Sequence, residues 1–516
     1  MKINPILAID SYKLAHITMY PDTIKETYLN LTPRTMKYFQ RLIPSEFKYD
    51  NKIVVFGVQM TVIDLITQFS EEFFSKPLDQ VLNIYIDTIT PFIGDGVGVK
   101  EHVIKEITKL HQLGYLPITI KALPEGSLIP VQTPVLTIRS TQFAWLGGYL
   151  ETYISQNIWK PITTATVARL YRKILQHFSE LTCDNNDHLT WQGHNFADRG
   201  MSGTEDATRC GIAHATQFQG SDSVHAAYAA KHLYGFKTPL FAASVPATEH
   251  SIMQLGINQS SEKETIQRLI KQYPSGILSV VCDTEDYWNT LTNILPSLKD
   301  EILARTPNSL GLAKLVARPD SGDPVDVICG TNFTEVIVID SMPGHSGIYY
   351  NISEATTPEE KGSIEILWDI FGGTINSKGY KVLNPKVGLI YGDSITPQRA
   401  YEICKRLQAK GFASSNVVFG IGSYAYNYHT RDTLGMAIKC TAAWDIKHNL
   451  IETQKTVKTD AIKKSAKGLL HVDSNFVTTD SVTPEQESTG ELRVIYSNGA
   501  LFLEHDFELI RTRAQQ

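Results

Sequence analysis

The chain has 516 residues, 42% of them hydrophobic and 20% charged, enough for two or three domains with substantial cores. A formal charge of −6 offers no overall attraction to nucleic acid or to an anionic membrane, so any anion site must be local. Six cysteines, at 183, 210, 282, 329, 404 and 440, lie far apart without a Cys-x-x-Cys pair and read as reduced core thiols, not as a disulfide or zinc framework.

In MKINPILAIDSYK, Pro5 and Asp10 interrupt the apolar run that a signal peptide needs. The apolar stretch IVVFGVQMTVIDLI from Ile53 carries Gln59 and Asp64, which marks a buried strand-to-helix unit and not a membrane span. A soluble cytoplasmic protein is expected. Up to Lys160, helices mix with short strands. In EHVIKEITKLHQLG the residues Val103, Ile104, Ile107, Leu110 and Leu113 recur at helical spacing, and Gly114 ends the helix. ITIKALPEGSLIPVQTPVLTIRS then alternates and breaks at Pro and Gly, as short antiparallel strands do.

From 161 to 430 the rhythm changes. Apolar runs end in polar or glycine residues at HNFADRG, TQFQGSD, FAASVPATEH, ILSVVCD, KLVARPDSGD, KVGLIYGDS and NVVFGIGS. Helical patterns separate several of them: VHAAYAAKHLYG follows Asp222 and Ser223 as N-cap candidates, and TPQRAYEICKRLQAKG runs from Pro397 to Gly411. Continuous apolar strands alternating with helices imply a parallel sheet covered on both faces, and about seven such units favour an irregular α/β barrel. The strand ends would then form its active mouth. The stretch 324–386, with SMPGHSGIYYNISEATTPEEKGS at 341–363, reads as an inserted loop or lid. Residues 431–516 return to short strands, and RVIYSNGALFLE is a hairpin signal because Asn498-Gly499 suits a type I′ turn. The fold expected is an α/β barrel over 161–430 plus a discontinuous α+β domain built from 1–160 and 431–516.

Asp222, Asp283, Asp320 and Asp393 all fall at strand ends. Singly each reads as a helix cap; together they can hold Mg²⁺, orient ribose hydroxyls or accept from a substrate amide. Arg318 in RPDSGDP can stack on or hydrogen-bond a planar ligand, although a tight surface turn uses the same residues. The glycines of YGDS and FGIGS let backbone N–H groups approach a phosphate. His250 beside Glu249 is either a structural histidine or an acid, base or nucleophile tuned by a carboxylate. KHNLIETQKTVKTDAIKKSAKG holds six lysines against two acids, first of all a solvated face and otherwise a loop for pyrophosphate or ATP phosphates.

DSYK with Tyr20-Pro21, HNFADRG, GSDSV, SVPATEHS, SVVCD, RPDSGDP, GGTINSKGYKVL, YGDS, FGIGS, TRD and IKC occur here in one order along nearly the whole chain. In this the chain resembles the type II phosphoribosyltransferases, and among them those acting on nicotinamide. The resemblance implies transfer of phosphoribosyl from 5-phosphoribosyl 1-diphosphate to nicotinamide, giving nicotinamide mononucleotide and pyrophosphate. It implies that Phe196 stacks on the pyridine ring opposite Tyr12 from the other subunit of a homodimer. Arg318 and Ser279 would lie near the carboxamide, Asp222 would accept from its NH₂ group, and Ser244 would join the substrate-binding residues. Asp320, Asp283 and Arg199 would arrange ring and ribose, Gly392 and Asp393 would hold ribose hydroxyls, and Gly422 and Ser423 would meet the 5′-phosphate. Arg34, Arg431, Lys439, Lys455 and Lys463, from the partner subunit, would surround pyrophosphate and ATP phosphates. His250, with Glu249 beside it, would be the histidine phosphorylated by ATP, with Mg²⁺ serving the diphosphate. The chain departs from the pattern at Ser423 and Tyr424, where glycines are common, and at Asp198, where an aromatic often precedes the arginine. Two other readings stand beside this one. Nicotinate as substrate is opposed by a carboxylate at Asp222, and a non-catalytic binder of NAD precursors is opposed by the presence of Asp222, His250, Arg318, Asp320 and Asp393.

Overall fold

The computed structural model describes residues 3–93, 96, 98–338, 347–455 and 465–516. Two sheets organise it. One is antiparallel with seven strands, in the order 450–452, 437–445, 24–32, 136–140, 118–122, 493–497 and 500–501. Its interior strand Ile24–Thr32 pairs with Ala437–Asp445 on one side and Leu136–Ser140 on the other, so Leu29 faces both Cys440 and Ile138. The two ends of the chain therefore share one sheet. At its edge Asn498 and Gly499 have φ of 45° and 95°, the left-handed pair that the hairpin expectation requires.

The second sheet is parallel with six strands, ordered 220–221, 193–195, 417–421, 387–391, 313–318 and 276–281. Every residue of Val387–Tyr391 is buried, as a strand covered on both faces must be. The sheet curls so that its two edges are joined by one segment. Ala243 bridges to Gly220 and Ala247 to Ser279, both in parallel. The seventh strand expected at FAASVPATEH is thus an irregular seam. Pro246 has no N–H for the ladder, and its carbonyl accepts from Ser279 N at 2.9 Å instead. Thr248 closes the seam, its Oγ1 accepting from Val281 N at 2.8 Å.

A helix of 32 residues, Glu151–Thr182, runs between the two sheets' sequence blocks, and the boundary drawn at 160 falls inside it. The C-terminal helix Phe507–Ala514 packs Phe507 against Phe241 and Tyr234. Burying an aromatic this completely contributes about 2–3 kcal/mol. No helix among the described residues is long and apolar enough to cross a membrane.

Three expectations are corrected. The stretch 324–386 is not an open loop: it holds helix Pro324–Cys329, a hairpin pairing Phe333–Val338 with Gly347–Ile352, helix Ser363–Phe371 and a second small hairpin. Residues 341–346 of the 341–363 insertion lie outside the described residues. Ser223 occupies the N-cap position of helix Val224–Leu233 but makes no cap bond, because its hydroxyl donates to Asp198 Oδ1 at 2.7 Å. The strand-end acids are not caps either. Asp286, Asp323 and Thr396 cap the neighbouring helices, which leaves Asp283, Asp320 and Asp393 to face the mouth. The six cysteines carry free thiols, five of them buried.

Candidate active site

Strand Gly193–Asn195 and the residues after it supply the floor of the mouth. Phe196 is tied by its N–H to Ile421 O at 3.0 Å, and its ring lies over two glycines of neighbouring strands. A Cβ on Gly420 would meet Phe196 Cδ2 at 2.6 Å. One on Gly392 would stand 2.5 Å from Asp320 Oδ1 and 3.7 Å from Phe196 Cε2. These glycines are required by close approach: an aromatic ring and a carboxylate sit where a side chain would go.

His194 points to the same side as Phe196, two residues on along a strand, with ring centroids 4.7 Å apart. Its Nε2 lies 2.8 Å from Asp222 Oδ1, and since a carboxylate only accepts, Nε2 carries the proton. Ser244 Oγ donates to the same oxygen at 2.6 Å. Burial pushes Asp222 up, but the bonds from His194 and Ser244 and the charge of Arg318 bring it below the usual carboxylate range. Its backbone N–H is held by Asn195 O at 3.1 Å.

Across the mouth, His250 opens helix His250–Gln259, and its Nε2 lies 3.2 Å from Asp283 Oδ1. The other oxygen of Asp283 accepts from Asp320 N at 2.9 Å and Ser321 Oγ at 2.7 Å. With a side chain only 4% exposed, Asp283 is a buried acceptor that orients both the histidine and the RPDSG turn. Glu249, next to His250 in sequence, turns away and accepts from Ser251 Oγ. Arg318 donates through Nη2 to Thr248 O at 2.8 Å, while its Nε is buried without a partner among the described residues. A buried guanidinium N–H left without a partner costs free energy that a bound acceptor would recover. Asp320 is raised, by burial first and then by Asp283 and Asp393, against the opposing charges of Arg318 and His250. It is a carboxylate that gains from an arriving positive charge.

Asp393 is exposed and accepts from Ser394 Oγ at 2.7 Å. Gly422 caps the short helix Ser423–Asn427. Ser423 packs its Cβ where a side chain on Gly200 would fall, at 2.5 Å. Tyr424, 64% exposed, leaves the loop and stacks on Tyr428 with centroids 4.9 Å apart, so its bulk does not fill the turn. Ser279 is buried in its strand, its N–H and carbonyl both committed to the seam, and Arg199 is exposed at the rim.

The remaining expected residues gather elsewhere. Arg34 and Lys439 line a cavity of about 490 Å³ beside the antiparallel sheet, with Asn30, Gln132, Gln454 and Thr478. None of the mouth residues lines it. Burial pushes the Lys439 ammonium down, as do Arg34, Lys455 and Arg431, against the pull of Glu151. Tyr12 is 58% exposed, its ring against His16 and Lys13. Lys463 lies outside the described residues. Among the described residues no three His, Cys, Asp or Glu side chains converge as a metal cage.

Sequence reading missed His194, Thr248 and Ser321. His194 carried a signal, since it stands two residues before Phe196 and an extended chain turns i and i+2 to the same side. Thr248 and Ser321 carried none, because their partners lie far along the chain.

The model of the nicotinate phosphoribosyltransferase (NAPRTase) family matches residues 191–499. The chain belongs to the NAPRTase family. It is 45% identical over 524 residues to a nicotinamide phosphoribosyltransferase of Acinetobacter baylyi, covering 100% of this chain and 98% of that one. It is 34% identical to a protein of the same name from Mycoplasma pneumoniae, over 85% and 89% of the two chains. Among solved structures, human nicotinic acid phosphoribosyltransferase superposes with a TM-score of 0.55 over 98% of this chain and 92% of that one, at 15% identity. That likeness extends the NAPRTase-family fold to the whole chain, both sheets included.

Proposed function

We propose that this enzyme is a nicotinamide phosphoribosyltransferase, taking nicotinamide and 5-phosphoribosyl 1-diphosphate to nicotinamide mononucleotide and pyrophosphate in NAD salvage. The observation that carries the reading is the pairing of a ring platform, Phe196, with an ionised acceptor, Asp222, through the His194 ring that touches both. A carboxamide offers N–H donors to that acceptor, and a pyridine carboxylate offers only like charge. The end-to-end match to the Acinetobacter baylyi relative agrees with it.

In the reaction the pyridine nitrogen forms a bond to ribose C1 as the bond from C1 to the diphosphate oxygen breaks, and the diphosphate leaves with the electron pair. Positive charge builds on the ribose and ends on the pyridinium ring. Asp320, raised by burial and then by its carboxylate neighbours, is relieved by that charge, and Asp283 holds the turn that carries it. Asp393 and Gly392 suit the ribose hydroxyls, the N–H groups of Gly422 and Ser423 suit the 5′-phosphate, and the free Arg318 Nε suits an acceptor on the substrate. Were Mg²⁺ bound with the diphosphate it would supply charge neutralisation, and Asp283, Asp320 and Asp393 are the carboxylates that would meet it through water.

We further assign the second group of residues to a neighbouring subunit. In a homodimer, Tyr12 would cover the free face of the ring, and Arg34, Arg431, Lys439, Lys455 and Lys463 would meet pyrophosphate and the ATP phosphates. The separate linings of mouth and basic cavity support this. ATP coupling would run through His250: an imidazole nitrogen takes the γ-phosphoryl group, ADP leaves, and hydrolysis of the P–N bond returns the histidine. The reduced cysteines suit a cytoplasmic enzyme. The deciding assay offers nicotinamide and nicotinate in parallel with phosphoribosyl diphosphate and Mg²⁺, with and without ATP. Mononucleotide from nicotinamide, enhanced by ATP in the wild type but not in His250→Ala, is the expected result. Turnover of nicotinate alone would refute the reading of Asp222.

A further inference from the structure

The Asp222 carboxylate is used asymmetrically. Oδ1 receives two donors, His194 Nε2 at 2.8 Å and Ser244 Oγ at 2.6 Å. Among the described residues no donor meets Oδ2. The side chain is 47% exposed, so burial alone would not hold it in one orientation. Its donors come from two different elements: His194 from the strand beside it, Ser244 from the irregular seam.

The His194 ring is itself pinned. A Cβ on Gly220 would stand 2.8 Å from its Nδ1, the Phe196 ring lies against its other side, and its side chain is only 11% exposed. Asp222 is tethered by its own N–H to the carbonyl of Asn195, the residue after His194. The acceptor therefore follows directly on the strand bonded to the donor's own, and their separation follows from that pairing.

We propose that His194 and Ser244 are specificity-determining positioning residues: by jointly saturating Oδ1 they hold the Asp222 carboxylate in one rotamer, with Oδ2 left as a pure acceptor for a pyridine carboxamide. This rests on the reading of the chain as a nicotinamide phosphoribosyltransferase and names what sets its substrate class. Without the two donors, a half-exposed carboxylate can rotate toward Arg318 or take up a proton. In the first case the amide loses its acceptor; in the second a carboxylic acid O–H can donate to the carboxylate of nicotinate. Both routes shrink the preference for the amide. A hydrogen-bonded carboxylate that cannot become a donor keeps it.

The test is the ratio of kcat/KM for nicotinamide to that for nicotinate, measured on the full-length enzyme and on His194→Phe, Ser244→Ala, their double variant and Asp222→Ser. His194→Phe keeps a ring against Phe196 and removes only the donor. Each single variant should lower the ratio roughly tenfold, the size of one hydrogen bond to a charged group, and the double variant should lower it further. The loss should fall mainly on KM for nicotinamide, and His194→Gln, which restores an N–H donor, should recover part of it. A structural role alone would lower kcat for both substrates and leave the ratio in place. Should His194→Phe fail to fold, Ser244→Ala removes one hydroxyl from an exposed residue and still decides the matter. A wild type that prefers nicotinate overturns the parent reading and this proposal together. A wild type that prefers nicotinamide, loses that preference in Asp222→Ser, and keeps it unchanged in His194→Phe and Ser244→Ala overturns this proposal alone.

Discussion

At the barrel mouth the carboxylates are already engaged within the chain: Asp222 with His194 and Ser244, Asp283 with His250, Asp320 N and Ser321. In the cavity beside the antiparallel sheet, lined by Arg34 and Lys439, the Lys439 ammonium is instead pushed down by burial first and then by the charges of Arg34, Lys455 and Arg431, against the pull of Glu151. On the proposed function, the mouth is preorganised for directional contacts to a small ring and a sugar. The cavity carries Arg34 and Lys439 against Asp480, and on the proposed function an arriving polyanion would relieve the two cations. Damage to the first should therefore appear in kcat and specificity, because each lost group strands a partner. Damage to the second should appear in affinity and salt dependence.

The comparison breaks most visibly at Asp283. Asp283→Ala strands His250 Nε2, Asp320 N and Ser321 Oγ at once, and we expect kcat/KM to fall about 100- to 1,000-fold. Steady-state kinetics with both substrates varied will show it; a loss confined to the ATP-stimulated rate would mean that Asp283 serves His250 alone. On the cationic side, Lys439→Ala should raise KM for phosphoribosyl diphosphate about tenfold with kcat little changed. The KM of the wild type should climb more steeply with added salt than that of the variant. Equal salt slopes would remove the cavity from the anion site.

A smaller effect tests the support beneath the mouth. His214 is fully buried, donates through Nε2 to Gly220 O at 3.0 Å and accepts at Nδ1 from Tyr426 at 2.6 Å, and burial lowers it from 6.5 to about 3. The folded state keeps this imidazole neutral while the unfolded chain protonates it. Its contribution is complete above pH 6.5 and declines as pH falls from 6.5 toward 3. Urea midpoints should drop between about pH 7.5 and about pH 5.5, with a slope approaching about 1.4 kcal/mol per pH unit below the unfolded pKa. The smallest change is expected at Tyr424→Gly: its ring stacks on Tyr428 outside the phosphate turn, so KM for phosphoribosyl diphosphate should move by less than about threefold. A larger shift would place that ring in the site.

The strand ends and the hairpin at Asn498-Gly499 were legible because apolar runs and turn chemistry are local signals. So were helix Pro397–Ala409, from its proline at the first turn, and the gathering of acids at one rim. Partner choice was not legible. Glu249 is adjacent to His250, yet the residue that orients it is Asp283, on a different strand. Ser223 looked like a cap and serves Asp198 instead. The apolar segment before His250 looked like a strand, but its proline makes it a seam held by isolated bridges.

Residue types and their order by themselves determined the alternation of strand and helix, the chemistry gathered at strand ends, and the family resemblance those motifs carry. Only the tertiary structure decided which oxygen of Asp222 is occupied, which carboxylate holds His250, and which strands of the two chain ends pair in the sheet they share. Periodicity reports which way a side chain faces along its own element. A hydrogen bond between residues 22 or 33 positions apart depends on how curled strands bring their ends together, and no local pattern encodes that distance.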